Sequence, residues 1–246
     1  MSAADRLLVA LDVPDEGAAV AILSRIGDGA RGVKVGKQLF VAAGPALVRS
    51  LVESGRRVFL DLKFHDIPNT VAGATREAVK LGAAFVDVHA SGGREMMRAA
   101  ADAAGDEASK RGTARPRMLA VTVLTSLDEH ALRETGVGAT VEDQVLRLAS
   151  LARESGMDGV VASPREIAAL RKEFGGGFLI VTPGIRAAEA RDDQKRTLTA
   201  REAIRAGADY LVVGRPVIAA ADPAAALAAL VAEIEAALVE AGRGAA

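Results

Sequence analysis

The chain has 246 residues, 50% of them hydrophobic and 26% charged, with a formal net charge of −1 at pH 7. This balance is typical of a globular protein and provides no basic surface for nucleic acid or an anionic membrane. The chain has no cysteine, which excludes disulfides, thiolate catalysis and cysteine-bound metals. With no long apolar run and no basic leader, we expect a cytoplasmic protein with no membrane or nucleic-acid partner.

Short apolar segments rich in Val, Ile and Leu recur along the whole chain, and each is too short to be a helix. They cover residues 7–11, 32–35, 58–62, 85–88, 118–123, 159–162, 178–181 and 210–213. Segments with helical spacing of apolar residues lie between them, most clearly at 141–155 and 223–239. This alternation predicts parallel strands that are covered on both faces.

Four of the predicted helices end in a glycine just before the next strand, at Gly55, Gly82, Gly156 and Gly207. A glycine at this place is typical of a left-handed helix end. Because the strand–helix units follow one another without a linker, we predict an α/β protein in which residues 1–246 form a single (β/α)₈ TIM barrel domain. An open doubly wound sheet is the alternative, but the glycine fingerprint expected after its first strand is absent.

The third predicted strand contains charges, since residues 58–66 read VFLDLKFHD. Alternate side chains of a strand point to opposite faces, so Phe59, Asp61 and Lys63 share one face and aliphatic residues form the other. The aliphatic face should lie under the helices. Asp61 and Lys63 then point into the barrel at the C-terminal end of the strand, where such barrels place their chemistry. A purely structural ion pair remains the alternative, although buried pairs stabilise proteins weakly.

Other polar residues occupy equivalent strand ends, which favours a site over an isolated ion pair. They are Asp12, Lys34, Asp87, His89 and Arg215. A core role for His89 stays open, whereas His65 is predicted to be structural or solvent-facing. No pair of histidines has the spacing of metal ligands, so we predict no metal site.

Two glycine-containing loops follow the last two predicted strands, in VTPGIR (181–186) and VVGRP (212–216). The loops after strands seven and eight of such barrels often bind phosphate. Gly184 and Gly214 permit close backbone approach, and Arg215 offers two parallel hydrogen bonds to phosphate oxygens. Ordinary turn chemistry is the alternative, but both loops fit the phosphate interpretation.

The segment DLKFHDIPNTV (61–71) closely resembles the signature of the orotidine 5′-monophosphate decarboxylase family. The segments ALD (10–12), VKVGKQLF (33–40), VTVLTS (121–126), VTPGIR and VVGRPV resemble the same family, so the resemblance covers nearly the whole chain. It implies a barrel that releases CO₂ from orotidine 5′-monophosphate (OMP) to give UMP, the last step of de novo UMP synthesis. It also implies no metal or organic cofactor, and a homodimer with active sites at the interface.

The resemblance also implies a role for individual residues. Lys63 would protonate C6 of the pyrimidine, Asp61 would lie against the departing carboxylate, and Lys34 and Asp66 would complete an alternating set of charges. Asp66 and Thr70 would reach the site of the neighbouring subunit, and residues 187–196 would form a lid. The substrate-binding residues would be Asp12 and Lys34 at the ribose, Ile67 and Thr70, Thr125 at the pyrimidine, and Arg186, Gln194, Gly214 and Arg215 at the phosphate.

The sequence leaves three alternative functions open. A metal-dependent sugar-phosphate decarboxylase of the same superfamily acts on a β-keto acid, but it places a glutamate metal ligand on strand two, where this chain has Lys34. A Schiff-base aldolase would use Lys63 as a nucleophile, but flanking carboxylates favour its charged form. The third alternative, a binding protein without catalysis, leaves the charged residues unexplained.

Overall fold

The computed structural model describes residues 1–186, 198–240 and 242. Eight parallel strands form the barrel: β1 (Leu7–Ala10), β2 (Gly32–Gly36), β3 (Arg57–Phe64), β4 (Phe85–His89), β5 (Arg117–Val121), β6 (Gly159–Val161), β7 (Leu179–Thr182) and β10 (Tyr210–Val213). They close in the order β1-β10-β7-β6-β5-β4-β3-β2. Each coincides with one of the predicted apolar segments, so the predicted (β/α)₈ barrel is confirmed. A separate parallel pair consists of β8 (Ile185–Arg186) and β9 (Leu198–Thr199).

Helices alternate with the barrel strands. They are α1 (Glu16–Ile26), α2 (Lys37–Glu53), α3 (Pro68–Lys80), α4 (Gly93–Arg111), α5 (Glu129–Glu134), α6 (Val141–Glu154), α7 (Ile167–Phe174), α8 (Ala200–Ala206), α9 (Arg215–Ile218) and α10 (Pro223–Glu240). The helices predicted at 141–155 and 223–239 are therefore confirmed as α6 and α10. Within the described ranges, no helix is both long enough and apolar enough to cross a membrane.

The helix boundaries follow from local sequence chemistry. The Thr140 hydroxyl accepts a hydrogen bond from the Asp143 N–H and so begins α6. The four glycines predicted at helix ends all have positive φ, between 79° and 111°. At Gly82 a side chain is also excluded by packing, because a Cβ atom there would lie 2.9 Å from Val52 Cγ1. The sequence prediction of these helix ends is therefore confirmed.

Two apolar cores lie on the two sides of the barrel wall. The larger core fills the space between strands and helices and includes Val58 and Leu60. The smaller core fills the barrel interior, where the Phe85 ring packs edge-on against Phe59 at 6.0 Å and Tyr210 at 5.0 Å. The alternation predicted for β3 is thus confirmed. Because these rings close the interior below, the polar inward positions of β3 lie above them at the C-terminal end.

The opposite, N-terminal end of the barrel carries two ion pairs of one design, here called the lower ion pairs. In each, an aspartate directly before a strand accepts the N–H of a residue in the neighbouring strand and also contacts an arginine. Asp158 Oδ2 is 2.7 Å from Met118 N and 2.6 Å from Arg115 Nη1, and Asp209 Oδ2 is 2.9 Å from Ile180 N and 2.5 Å from Arg171 Nη2. These contacts tie strand starts to helices and loops.

Candidate active site

A cavity of about 590 Å³ opens at the C-terminal end of the barrel. Its volume lies in the range of small-molecule sites, and its position is where such barrels carry their chemistry. Eight of the predicted site residues line it together: Asp12, Lys34, Asp61, Lys63, Thr125, Arg186, Gly214 and Arg215. The ends of six barrel strands or their following loops contribute these side chains, so residues distant in sequence converge on one space.

Charges of alternating sign cross the floor of this cavity. Lys34 Nζ lies 2.9 Å from Asp12 Oδ1 and 3.2 Å from Asp61 Oδ2. On the other side of Asp61, Oδ1 accepts a hydrogen bond from the Lys63 ammonium, and Lys63 Nζ is 4.0 Å from Asp87 Oδ2. We call these five residues the mouth cluster. Four of them were predicted as site residues, and Asp87 was noted only as a polar residue at a strand end.

The backbone of β3 is irregular at the residue that carries the ammonium group. Its pairing with β4 shifts register between Leu60 and Phe64, and Lys63 has φ of 51°. Lys63 is the one residue other than glycine with positive φ in the described part of the chain. The Lys63 N–H donates to Asp87 Oδ1 at 2.8 Å. An irregularity of this kind redirects a side chain, here towards Asp61.

The surroundings of the mouth cluster set its charges. Burial alone would raise the pKa of Asp61, but a hydrogen bond with Asp87 and the charges of Lys34 and Lys63 lower it to about 2. Burial opposes the charge of Lys34, yet the neighbouring Asp61 and Asp12 raise the pKa of its ammonium above the ordinary value. Asp61 is therefore an anion and Lys34 a cation at neutral pH. This fixed arrangement can stabilise charge that develops on a bound molecule.

The remaining cavity wall combines apolar side chains with the two predicted phosphate loops. Gly184 has φ of 79°, so the turn after β7 requires glycine, and Arg186 and Arg215 stand on this side of the cavity. The apolar lining was not predicted, because its members look like ordinary strand ends or loop residues. They include Val123, Leu124, Val161, Ile185, Val212 and Pro216.

Three predicted site residues do not line this cavity. Asp66, Ile67 and Thr70 are exposed, lying on the turn after β3 and at the start of α3. Asp66 Oδ1 accepts a hydrogen bond from the Ile67 N–H at 2.7 Å, and Ile67 is 67% exposed despite its apolar side chain. Gln194 and the lid predicted at 187–196 fall outside the described residues.

The two histidines near the mouth contact each other. The ring centres of His65 and His89 are 5.4 Å apart. His65 is exposed, which agrees with the prediction that it is structural or solvent-facing. Its contact with His89 was not predicted. Burial, with the nearby His65 and Lys37, lowers the pKa of His89 to about 4, so His89 is neutral at pH 7. No group of three or more His, Asp or Glu side chains that could hold a metal occurs among residues 1–186 and 198–240.

Comparisons with known proteins agree on one family. The model of the "Orotidine 5'-phosphate decarboxylase / HUMPS family" matches residues 5–230. A relative from Moorella thermoacetica named orotidine 5′-phosphate decarboxylase is 56% identical over 96% of this chain and 94% of its own length. One from Alkalilimnicola ehrlichii with the same name is 53% identical over 94% and 97%. The crystal structure of orotidine 5′-phosphate decarboxylase from Lactobacillus acidophilus superimposes with a TM-score of 0.84 at 42% identity, covering 93% of this chain and 98% of that one.

Proposed function

The chain belongs to the orotidine 5′-phosphate decarboxylase / HUMPS family, and we propose that it converts OMP into UMP and CO₂ with Lys63 as the proton donor. Orotidine 5′-phosphate decarboxylation is the activity for which both relatives are named, and each aligns with more than nine-tenths of the chain. The row of alternating charges on the cavity floor is the main support for the roles assigned to individual residues.

The reaction presents an electrostatic problem that these charges can solve. When the bond between C6 and the carboxyl carbon breaks, the electron pair stays on C6 in an orbital that the ring does not delocalise readily. A positioned ammonium group stabilises that charge more in the transition state than in the substrate complex. Lys63 then transfers its proton to C6, which forms the C6–H bond of UMP, and its amine regains a proton from solvent.

The neighbours of Lys63 prepare it for this step. The Asp61 carboxylate bonds the ammonium and, in the proposed complex, faces the substrate carboxylate, so release of neutral CO₂ removes a repulsion between like charges. Lys34 contacts both Asp61 and Asp12, which keeps the row in alternating sign. We assign Asp12 and Lys34 to the ribose hydroxyl groups and Thr125 to the pyrimidine.

The phosphate would bind at the loops that follow β7 and β10, away from the reacting carbon. Arg215, Gly214 and Arg186 stand there, and Gln194 is assigned to the same group from its sequence position. Arginine binds phosphate through paired, charge-assisted hydrogen bonds. Because these contacts are remote from C6, they can contribute to catalysis by holding the ring in place over Lys63.

We further propose that two chains form a homodimer in which each completes the cavity of the other. Asp66, Ile67 and Thr70 are exposed and lie next to Lys63 in sequence, yet none lines the cavity of its own chain. An exposed isoleucine beside a carboxylate and a hydroxyl suits a surface that another subunit covers. Placed near a partner's Lys63, Asp66 would extend the alternation of charges.

Subunit mixing tests the shared site. Asp66→Asn and Lys63→Ala chains should each be inactive, and their mixture should regain activity, since one site of each heterodimer contains both wild-type residues. Exchange is verified by mass spectrometry of differently tagged chains. If exchanged heterodimers stay inactive, the shared-site proposal is wrong.

A metal-dependent sugar-phosphate decarboxylase is the alternative that the same superfamily offers. The position of its glutamate metal ligand on β2 is taken by Lys34, whose ammonium is held between Asp12 and Asp61 and would repel a divalent cation. The relatives from Moorella thermoacetica and Alkalilimnicola ehrlichii are both named orotidine 5′-phosphate decarboxylase, not sugar-phosphate decarboxylase. The alternative is therefore not favoured.

The function itself is tested with the purified chain, OMP and excess EDTA, by following UMP chromatographically. We expect stoichiometric UMP at a rate unaffected by EDTA, and none with Lys63→Ala. No UMP from the wild-type chain, or a rate abolished by EDTA and restored by Mg²⁺, would contradict the proposal. A single domain and a cytoplasmic location remain predictions from the sequence.

A further inference from the structure

Asp87 is a buried carboxyl group to which the proposed mechanism gives no task. It lies on β4 with 0% exposure, directly behind the row of charges that faces the cavity. It is not among the residues that line the cavity. A fully buried carboxyl group is costly unless its oxygen atoms are satisfied. Its two oxygens have different neighbours, and both belong to the catalytic strand.

The first oxygen holds the backbone of Lys63. Asp87 Oδ1 accepts the Lys63 N–H at 2.8 Å, at the point where β3 leaves its regular register. Lys63 has φ of 51°, a conformation that costs free energy for any residue other than glycine unless its surroundings impose it. This hydrogen bond is thus one of the contacts that keep the ammonium directed at Asp61.

The second oxygen, Asp87 Oδ2, has no such partner among the described residues, although Lys63 Nζ lies near both Asp87 and Asp61. No donor from the described residues reaches Asp87 Oδ2 within hydrogen-bond distance, and Lys63 Nζ is 4.0 Å away. Two adjacent carboxyl groups in a buried site repel each other when both are charged, which favours a proton on one of them. Asp61 already has two ammonium groups beside it, whereas burial and the charge of Asp61 raise the pKa of Asp87 well above its ordinary value. The shared proton therefore belongs to Asp87.

We propose that Asp87, in its neutral form, is a positioning residue that fixes both catalytic neighbours on β3. Its carbonyl oxygen orients the Lys63 backbone, and its hydroxyl group donates to Asp61. The charged groups that face it are Asp61 and Lys63 from β3, while its partner on β5 is the apolar Leu119 and the next inward residue of its own strand is His89. The proposal rests on the proposed function, because positioning matters only if Lys63 and Asp61 act on the substrate.

Two substitutions separate this role from simple packing. Asparagine keeps both contacts of a neutral aspartic acid, since its oxygen can accept from Lys63 and its amide can donate to Asp61. Leucine has a similar size and keeps neither. We expect Asp87→Leu to lower kcat for OMP by about tenfold to a hundredfold, the usual effect of losing hydrogen bonds to charged groups. Asp87→Asn should keep a kcat much closer to that of the wild type.

Three further measurements complete the test. UMP affinity should be unchanged in Asp87→Leu, because Asp87 does not line the cavity. The infrared difference spectrum between wild type and Asp87→Asn at neutral pH should contain the C=O stretching band of a protonated carboxyl group. Thr75→Val is the matched control, since Thr75 is also 0% exposed and its hydroxyl has no partner among the described residues. That variant should retain kcat.

The outcomes are distinguishable. Wild-type kcat in Asp87→Leu would overturn the positioning role, and a missing carboxyl band or an Asp87→Asn chain as inactive as Asp87→Leu would overturn the neutral form. If Asp87→Leu does not fold, Asp87→Ala replaces it with the same expected loss of kcat. A wild-type chain that makes no UMP would instead refute the proposed function, whereas the infrared band tests the protonation of Asp87 without turnover.

Discussion

The two ends of the barrel use the same charged side chains in opposite ways. At the lower ion pairs every carboxylate has an arginine and a backbone N–H, and Arg171 also donates to the Gly207 carbonyl oxygen at 2.6 Å. In the mouth cluster two carboxyl groups adjoin, one oxygen of Asp87 has no donor among the described residues, and Lys63 has positive φ. The lower end is arranged for stability and the upper end is not.

This difference shows which buried charges point to a function. A buried ion pair contributes little to stability compared with apolar packing. It stabilises the fold only when hydrogen bonds satisfy all of its polar atoms. Sites that break local rules without compensation nearby are where a function is expected. The mouth cluster breaks several of these local rules at once, and the cavity lies directly above it. Substitutions at the two ends should therefore separate catalysis from folding.

The largest effect is expected from Lys63→Ala. Losing both the proton donor and the charge nearest C6 should lower kcat by at least about 10⁴-fold, because each of these contributions is large in enzymes. The free energy of unfolding should change little, because the Lys63 side chain is 25% exposed and its removal also removes the desolvation cost of its ion pair. Steady-state kinetics and urea unfolding measure the two quantities. Lys80→Ala, which removes an exposed lysine of α3, is the control and should keep full activity.

A smaller effect is expected from Arg215→Ala at the phosphate side. The loss of charge-assisted hydrogen bonds should raise KM for OMP by about tenfold to a hundredfold. The loss should be much smaller for orotidine, which lacks the phosphate. Competition by inorganic phosphate provides a second measurement. Equal losses for both substrates would place Arg215 elsewhere, and Arg94→Ala, an exposed arginine paired with Glu154, should change neither.

The smallest effect on activity is expected at the lower end. Arg171→Met leaves Asp209 without its arginine in a largely buried place, which should lower the free energy of unfolding by about 3 kcal/mol. The value of kcat should stay within about twofold, because Arg171 lies at the end of the barrel opposite the cavity and substitutions at distant sites have independent free-energy effects. A large fall in kcat for a chain that is still folded would remove the distinction between the two ends.

The sequence predicted the barrel because eight apolar segments, the glycines at helix ends and the absence of a linker all indicate the same fold. It predicted Asp61, Lys63 and Lys34 because charges inside strand-like segments are rare, and Asp12 because it directly follows such a segment. The apolar cavity wall was missed, since Val161 or Val212 at a strand end looks like core. The importance of Asp87 was also missed, because only the structure shows that its oxygens meet Lys63 and Asp61.

The most direct test compares one chemical change at the two ends, Asp61→Asn at the mouth and Asp209→Asn at the lower end. The two carboxylates are similarly buried, with side-chain exposures of 11% and 17%. Each chain is assayed for kcat with OMP and for the free energy of unfolding in urea.

We expect Asp61→Asn to lose at least about a hundredfold in kcat. Its stability should stay within about 1 kcal/mol of wild type, because Asp87 can release its proton and supply a negative charge beside Lys63. Asp209→Asn should lose about 2–3 kcal/mol of stability and keep its kcat. The reverse pattern, or equal losses of both quantities in both chains, would contradict the conclusion that charges at the mouth serve the reaction and charges at the lower end serve the fold.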